Sequence, residues 1–170
     1  MDLNDIAESA LEKMLAAGFD DVQITASITE QDELNIAHNE ASLLRSTEDY
    51  SLSLMGIVDG RKASTAVTDL EEAAVEESIK QLFEGAQVAP QDEANAVSSG
   101  EVQHFEQGPL TGDLNLLTNK VKELLEYRAA HTPRMNMDEG GSSHARTRQV
   151  LLTSGGTRLT ADVGDRKSTR

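Results

Sequence analysis

The sequence predicts an α+β fold, in which an antiparallel sheet of meandering strands and hairpins packs against amphipathic helices, followed by the start of a second α+β segment. Two observations favour this class. The spacing of apolar residues changes along the chain from intervals of three and four to strict alternation. Turn pairs such as Asp59-Gly60 stand between the alternating stretches. Because only 3% of the residues are aromatic, the core must be mainly aliphatic.

The first element is a helix followed by alternating strands. Apolar residues from Leu3 to Leu15 share one helical face, with Asp2 as the expected N-cap and Gly18 just beyond the end. Alternation from residue 21 to 28 then predicts a strand with one buried face. We predict three further strands, a short one at 34–36, one beginning at 43–44 and one at 50–58.

The next part of the sequence predicts a hairpin and a second helix. Asp59-Gly60 supplies the positive φ angles of a two-residue type I′ turn. Thr68-x-x-Glu71 has the pattern of a capping box, and an apolar stripe from Val75 to Ala86 follows it. This helix should end before Pro90.

Composition suggests a domain boundary after the second helix. We predict a first α+β domain at 1–97, a polar linker at 98–112, and the start of a second domain at 113–170. Asp113 should cap a third helix that ends at Thr132-Pro133, and strand signals follow at Met135 and Met137. A hairpin is predicted around 154–156, while 165–170 is polar and adds no element. So short a final sheet suggests a fragment of a longer protein.

Charge and composition exclude several classes of partner. The formal net charge of -15 repels phosphate backbones and anionic lipids, so we expect no direct nucleic-acid partner and no membrane partner. There is no cysteine, and no apolar run approaches the roughly 20 residues that span a bilayer. We expect a cytoplasmic protein without a cleaved signal.

Several turn and cap motifs stand along the chain: Asp59-Gly60-Arg61-Lys62, Thr68-Asp69-Leu70, Pro90-Gln91-Asp92, Pro133-Arg134-Met135, Gly140-Gly141-Ser142 and the LLTSGGT hairpin. Together they resemble the amino-terminal region of the TldD/PmbA family, which is also known as the TldD/TldE metallopeptidases or modulators of DNA gyrase. Ala63 stands where the family commonly has glycine, and Thr153 where it usually has asparagine. The resemblance covers nearly the whole chain and is slightly stronger to the PmbA (TldE) side.

The resemblance implies a part of a cytosolic, bacterial zinc metallopeptidase that acts on peptides or unfolded proteins. Such proteins pair as homo- or heterodimers around a cavity, so this region would form cavity wall and subunit contacts, and its sheet edges could hold an extended peptide. The alternative is a non-enzymatic protein-interaction module. The family's gyrase label implies a link to a DNA enzyme, which the acidic charge makes indirect.

No motif in the sequence identifies an active site. The family's zinc motif, His-Glu-x-x-x-His, is missing, so the resemblance implies zinc only in a downstream domain or partner subunit, and the chain alone should be inactive. The four histidines are far apart in sequence, and the acidic residues lack a calcium-loop pattern. Neither Gly-Gly pair belongs to a phosphate loop, and no Gly-x-Ser-x-Gly elbow accompanies the serines. We therefore predict no catalytic, cofactor-binding or metal-binding residue. The residues considered and set aside are His38, His104, His131, His144, Asp92, Glu93, Asp138 and Glu139.

Overall fold

The protein was analysed as a computed structural model, which describes residues 2–168 and forms two compact units. The first unit comprises 2–28, 49–105 and 148–161. The second comprises 29–48, 106–147 and 162–168. The segment predicted as a linker, 98–112, contains a strand. The predicted domain boundaries themselves stay a prediction.

Within residues 2–168, helices and strands combine into an α+β architecture, which confirms the predicted fold class. The six strands form one sheet in the order β3-β2-β1-β5-β6-β4, and most neighbours are antiparallel. The elements in chain order are α1 Leu3–Ala16, β1 Asp21–Ala37, β2 Glu40–Val58, β3 Arg61–Val67, α2 Glu72–Val88, β4 Val102–Gln107, α3 Leu114–His131, β5 Glu139–Thr153 and β6 Arg158–Ser168.

The core of the first unit lies beneath α1 and α2. Asp2 caps α1 as predicted, since its carboxylate accepts a hydrogen bond from the Asn4 backbone N–H at 2.8 Å. The alternation in β1 buries every second side chain from Val22 to Ile28. The predicted apolar stripe of α2 is buried at four positions, Val75, Ile79, Leu82 and Ala86.

The β2–β3 hairpin has the predicted turn, but the predicted capping box is wrong. Asp59 and Gly60 have φ angles of 48° and 70°, and Val58 pairs with Arg61. Helix α2 begins one turn later than Thr68 would place it, with Glu71 at the N-cap and no side-chain cap bond. Instead, the Asp69 carboxylate accepts from the Glu71 N–H at 3.0 Å. An Asx turn therefore leads into the helix.

Strands β1 and β2 are longer than polarity alone predicts. The expected strands at 21–28 and 34–36 are one strand, β1, and those at 43–44 and 50–58 are one strand, β2. Cross-strand hydrogen bonds keep the polar stretch extended, as between the Thr29 and Thr147 hydroxyls at 3.0 Å.

The carboxyl-terminal part of the chain gives two further corrections. Residues 165–168, which we expected to add no element, belong to β6, and 169–170 lie outside the described residues. Met135 and Met137 do not form a strand. They belong to the connection between α3 and β5, and Met137 packs on the core of the second unit.

The second unit has a small core of its own, built on α3. Leu34, Ile36 and Val121 are buried together. The predicted cap of α3 is confirmed, because the Asp113 carboxylate accepts from the Leu116 N–H at 3.0 Å. The helix ends at His131, before Thr132-Pro133, as the sequence predicts.

Candidate binding site

The candidate site is a depression in the second unit that His144 lines. It has a volume of about 490 Å³ and is formed by β1, β2, β5 and the segment that precedes α3. A larger depression of about 750 Å³ lies elsewhere in this unit. The Glu33 carboxylate there is already engaged, since it accepts from Gln31, Asn35 and Arg45. The lining of the His144 depression comprises Glu30, Gln31, Asp32, Ser46, Thr47, Glu48, Leu110, Thr111, Gly112, His144 and Arg146.

The alternation of β1 places two carboxylates on the same face of the strand as its buried aliphatic residues. Leu34 and Ile36 are buried, and the two preceding residues of the same parity are Glu30 and Asp32, which are only partly buried. Side chains two residues apart point to the same face of a strand. The face that carries aliphatic side chains at one end therefore carries carboxylates next to them.

His144 is held in one tautomer by the backbone. The residue is 4% exposed, and its Nε2 lies 2.6 Å from the Pro109 carbonyl oxygen. A carbonyl oxygen only accepts, so Nε2 carries the hydrogen, and Nδ1 of the neutral ring is an acceptor. Nδ1 lies 3.1 Å from the point that a Cβ on Gly112 would occupy. The acceptor nitrogen therefore faces the space beside Gly112.

Asp32 directs a carboxylate oxygen at the same place. Its Oδ1 accepts from the Ser46 hydroxyl at 2.5 Å, while its Oδ2 lies 3.2 Å from the Cβ point of Gly112. A Cβ at position 112 would be in tight contact with both groups, so one of them would have to shift by a few tenths of an ångström. Because Ser46 donates to a carboxylate rather than to the imidazole, its hydroxyl is not arranged as a base-activated nucleophile.

The one guanidinium in the lining is committed to a carboxylate. Arg146 donates to Asp162 through Nε at 2.8 Å and through a terminal nitrogen at 2.5 Å. The hydrogen bond to Asp162 raises the pKa of Arg146, and the charges of Glu30 and Glu106 act in the same direction. Bidentate pairs of this kind are strong and geometrically fixed. The net character of the depression is therefore acidic.

The histidines considered from sequence are placed apart. His38 lies in the β1–β2 turn with a largely exposed side chain, 3.8 Å from Asp138. His104 bonds the Thr160 hydroxyl at 2.7 Å, and the ring of His131 stacks on Tyr127. Across residues 2–168 no three histidine or carboxylate side chains come together as possible metal ligands.

Of the remaining acidic positions, Glu93 and Glu139 are exposed, while Asp92 and Asp138 have local partners. Asp92 accepts from the Ala94 N–H at 2.9 Å, and Asp138 accepts from the Asn136 amide. Gly141 packs against the Leu34 carbonyl oxygen, and a Cβ there would lie only 2.8 Å from that oxygen. The absence of catalytic, cofactor and metal residues stays a prediction.

The sequence did not predict that the Asp32 and His144 side chains lie close to the same side of Gly112. These two side chains come from β1 and β5, which are neighbours in the sheet but far apart in the chain. One signal was present in the sequence. On the face of β1 that is otherwise buried, the residues change from aliphatic to acidic at Glu30 and Asp32. Carboxylates are rarely buried in an apolar core, so this change indicates that the strand faces something else there.

Solved structures share this fold. The chain is similar to TldE from Thermococcus kodakarensis, with a TM-score of 0.71, 20% identity and 95% of this chain covered. It is also similar to a proposed modulator of DNA gyrase from Bacteroides thetaiotaomicron, with a TM-score of 0.64, 18% identity and 95% of this chain covered. A proposed modulator of DNA gyrase from Thermotoga maritima matches with a TM-score of 0.64, 13% identity and 97% of this chain covered. The match spans 36%, 38% and 38% of those chains, respectively.

The similarity lies in the fold rather than in the sequence. No profile of a known protein family matches the chain, and no curated protein matches it. The fold that the turn and cap motifs suggested is nevertheless the fold of these TldE and gyrase-modulator structures. None of the helices within residues 2–168 has the length and apolar character needed to cross a bilayer.

Proposed function

We propose that this chain is the amino-terminal, non-metal-binding region of a TldD/PmbA-family protein of the PmbA (TldE) kind. The observation that supports this best is the likeness to the Thermococcus kodakarensis TldE over 95% of the chain. The turn and cap motifs of the sequence support it independently. In this proposal the region works in the cytoplasm as part of a zinc metallopeptidase complex, with zinc in a downstream domain or in a partner subunit.

The role of the region is to form cavity wall and subunit contacts around a peptide substrate. Strand β3 pairs with β2 at Leu52–Val58. The part of β2 that belongs to the second unit, residues 40–48, therefore lies outside the stretch that pairs with β3. Leu43 and Leu44 on this stretch are 49% and 53% exposed. Exposed leucines on a strand segment that β3 does not cover suit a contact with another subunit of a homo- or heterodimer.

The catalytic part of the proposal is tested by zinc content and peptidase activity. The chain alone should bind no stoichiometric zinc and cleave no unstructured fluorogenic peptide, whereas a complex with a zinc-bearing family member should cleave it. Elemental analysis showing one zinc per isolated chain, lost in His38→Ala or His144→Ala, would contradict the proposal. A complex that forms but cleaves nothing would favour the alternative of a non-enzymatic interaction module.

The contact surface is tested by paired substitutions. Leu43→Glu with Leu44→Glu should abolish co-sedimentation with the zinc-bearing partner, because two carboxylates replace the apolar contact. Val88→Glu is the matched control, since Val88 is 84% exposed at the end of α2 in the other unit. Equal loss of co-sedimentation in the control would refute the assignment. A link to DNA gyrase would run through such protein contacts, because the chain's charge opposes direct DNA contact.

A further inference from the structure

We propose that the depression around His144 binds a primary ammonium group of a peptide, either its α-amino terminus or a lysine side chain. The inference deepens the proposed function and rests on it for the peptide, since it names the part of the substrate that this region holds. The inference is argued from two hydrogen-bond acceptors that are directed at the same side of Gly112.

Two acceptors converge beside Gly112. The Pro109 carbonyl accepts from Nε2 of His144, so Nδ1 is an acceptor when the ring is neutral, and the Ser46 hydroxyl bonds Oδ1 of Asp32. Nδ1 and Oδ2 lie 3.1 and 3.2 Å from the same point beside the Gly112 Cα. In the proposal the ligand nitrogen lies farther out from Gly112 than this point and bonds both atoms. An ammonium group, which has three donors and no acceptor, matches them.

The charges of the site favour a cation over an anion. Glu30, Asp32 and Glu48 line the depression, and Arg146 is engaged by Asp162. An anion would have to displace Asp162 from the guanidinium. The amino terminus of α3 follows Gly112, but the Asp113 carboxylate already caps it. Hydrogen bonds between opposite charges are the strong ones, which favours an ammonium group over a neutral donor.

A metal ion fits the site less well than an ammonium group. Two candidate ligand atoms, Nδ1 of His144 and Oδ2 of Asp32, lie nearest the position beside Gly112, whereas structural zinc takes four ligands and calcium takes six or more. Over the part of the chain that the structure describes, no triplet of histidine and carboxylate side chains forms. An ammonium group can bind through two hydrogen bonds and does not need four or more ligand atoms from the protein.

Gly112 provides a way to close the site without removing a polar group. Its φ angle is not in the left-handed region, so alanine is tolerated by the backbone. The new methyl group would stand in contact with both Nδ1 and Oδ2 and block the approach of a ligand. Gly85→Ala is the matched control, because no atom lies within 4 Å of a Cβ there.

Binding is measured by NMR titration of the isolated 170-residue chain at about pH 7, where a peptide amino terminus is mostly protonated. The probe is trialanine amide, compared with its N-acetyl form, with N-acetyl-lysine amide and with sodium acetate. The imidazole signal of His144 is identified by replacing the three exposed histidines, His38, His104 and His131. Far-UV circular dichroism confirms that each variant is folded.

The expected result is a saturable shift of the His144 signal with trialanine amide and none with its acetylated form. Gly112→Ala and Asp32→Asn should each weaken binding by about tenfold or more, or about 1.4 kcal/mol, because the first blocks the approach to both acceptors and the second removes the charge of one of them. Gly85→Ala and Asp165→Asn, which changes the same charge on β6, should not weaken binding. A shift with N-acetyl-lysine amide of similar strength identifies the side chain as an equal source of the ammonium group.

Three outcomes would overturn the inference. They are a His144 shift with acetate rather than with amines, no shift with any amine, and equal binding by Gly112→Ala and wild type. Because this titration uses no partner subunit, its failure leaves the partner-dependent peptidase test unaffected. Failure of the peptidase test with a positive titration would remove the proposed function and leave an amine-binding site.

Discussion

Replacing Gly56 by alanine should destabilise the first unit, because the new methyl group would overlap an aromatic ring. Gly56 lies on β2 at a buried position, and a Cβ there would stand 2.2 and 2.3 Å from two ring carbons of Phe19. It would also lie 2.9 Å from the terminal methyl carbon of Met14. Phe19 is 4% exposed and packs edge-to-face on Phe83, with ring centroids 5.2 Å apart. The strand glycine therefore provides the space that the ring occupies.

The size of the effect follows from three contributions. Overpacking a well-packed core costs about 1–3 kcal/mol. Displacement of Phe19 also weakens its contact with Phe83, which contributes about 0.5–1.5 kcal/mol. Alanine recovers about 0.5–1 kcal/mol of backbone entropy relative to glycine. We expect a net loss of about 2 kcal/mol in the free energy of unfolding, or about 4–8 °C in the melting temperature.

Urea and thermal unfolding followed by circular dichroism measure this loss. Gly85→Ala is the control, because its methyl group meets no atom within 4 Å on helix α2 and should stabilise the protein by about 0.5–1 kcal/mol. Adding Phe19→Leu to Gly56→Ala should recover part of the loss in a double-mutant cycle. If Gly56→Ala were neutral or stabilising, or if the cycle showed no coupling, the packing argument would be refuted.

The remaining predictions concern the helices of the first unit. Asp69→Ala should lower the free energy of unfolding by about 0.5–1 kcal/mol, because it removes the turn that leads into α2. Thr68→Ala should leave the free energy of unfolding unchanged. If urea unfolding showed that Thr68→Ala destabilises the protein and Asp69→Ala does not, Thr68 would be the capping residue after all. Lys13 contacts Glu72 at 2.6 Å and Glu76 at 2.9 Å, and the hydrogen bond from Lys13 lowers the pKa of Glu72 from its ordinary 4.5. Since the folded pKa of Glu72 is the lower one, its stabilisation is present above pH 4.5 and is lost as the pH falls through the folded value. Lys13→Met should therefore flatten the acid side of the stability profile, and an unchanged profile would show that the pair contributes nothing.

Local features of the fold followed from the sequence with few errors. The cap at Asp2, the Asp59-Gly60 turn and the cap at Asp113 are formed by neighbours in the chain, so a short stretch of sequence contains both partners. The error at Thr68 was also local. Thr68 and Asp69 are both residue types that can bond the backbone at the start of a helix, and the sequence pattern does not distinguish between them.

The sequence by itself determined the α+β class, the helices and the tight turns, because periodicity and capping are short-range properties of the chain. Tertiary structure decided how far each strand extends, since the polar middle of β1 lies between two neighbouring strands, β2 and β5, and bonds such as the one between the Thr29 and Thr147 hydroxyls link it to β5. It also decided the candidate site. Asp32 and His144 meet beside Gly112 because strands distant in sequence are adjacent in the sheet, and no local pattern encodes that adjacency.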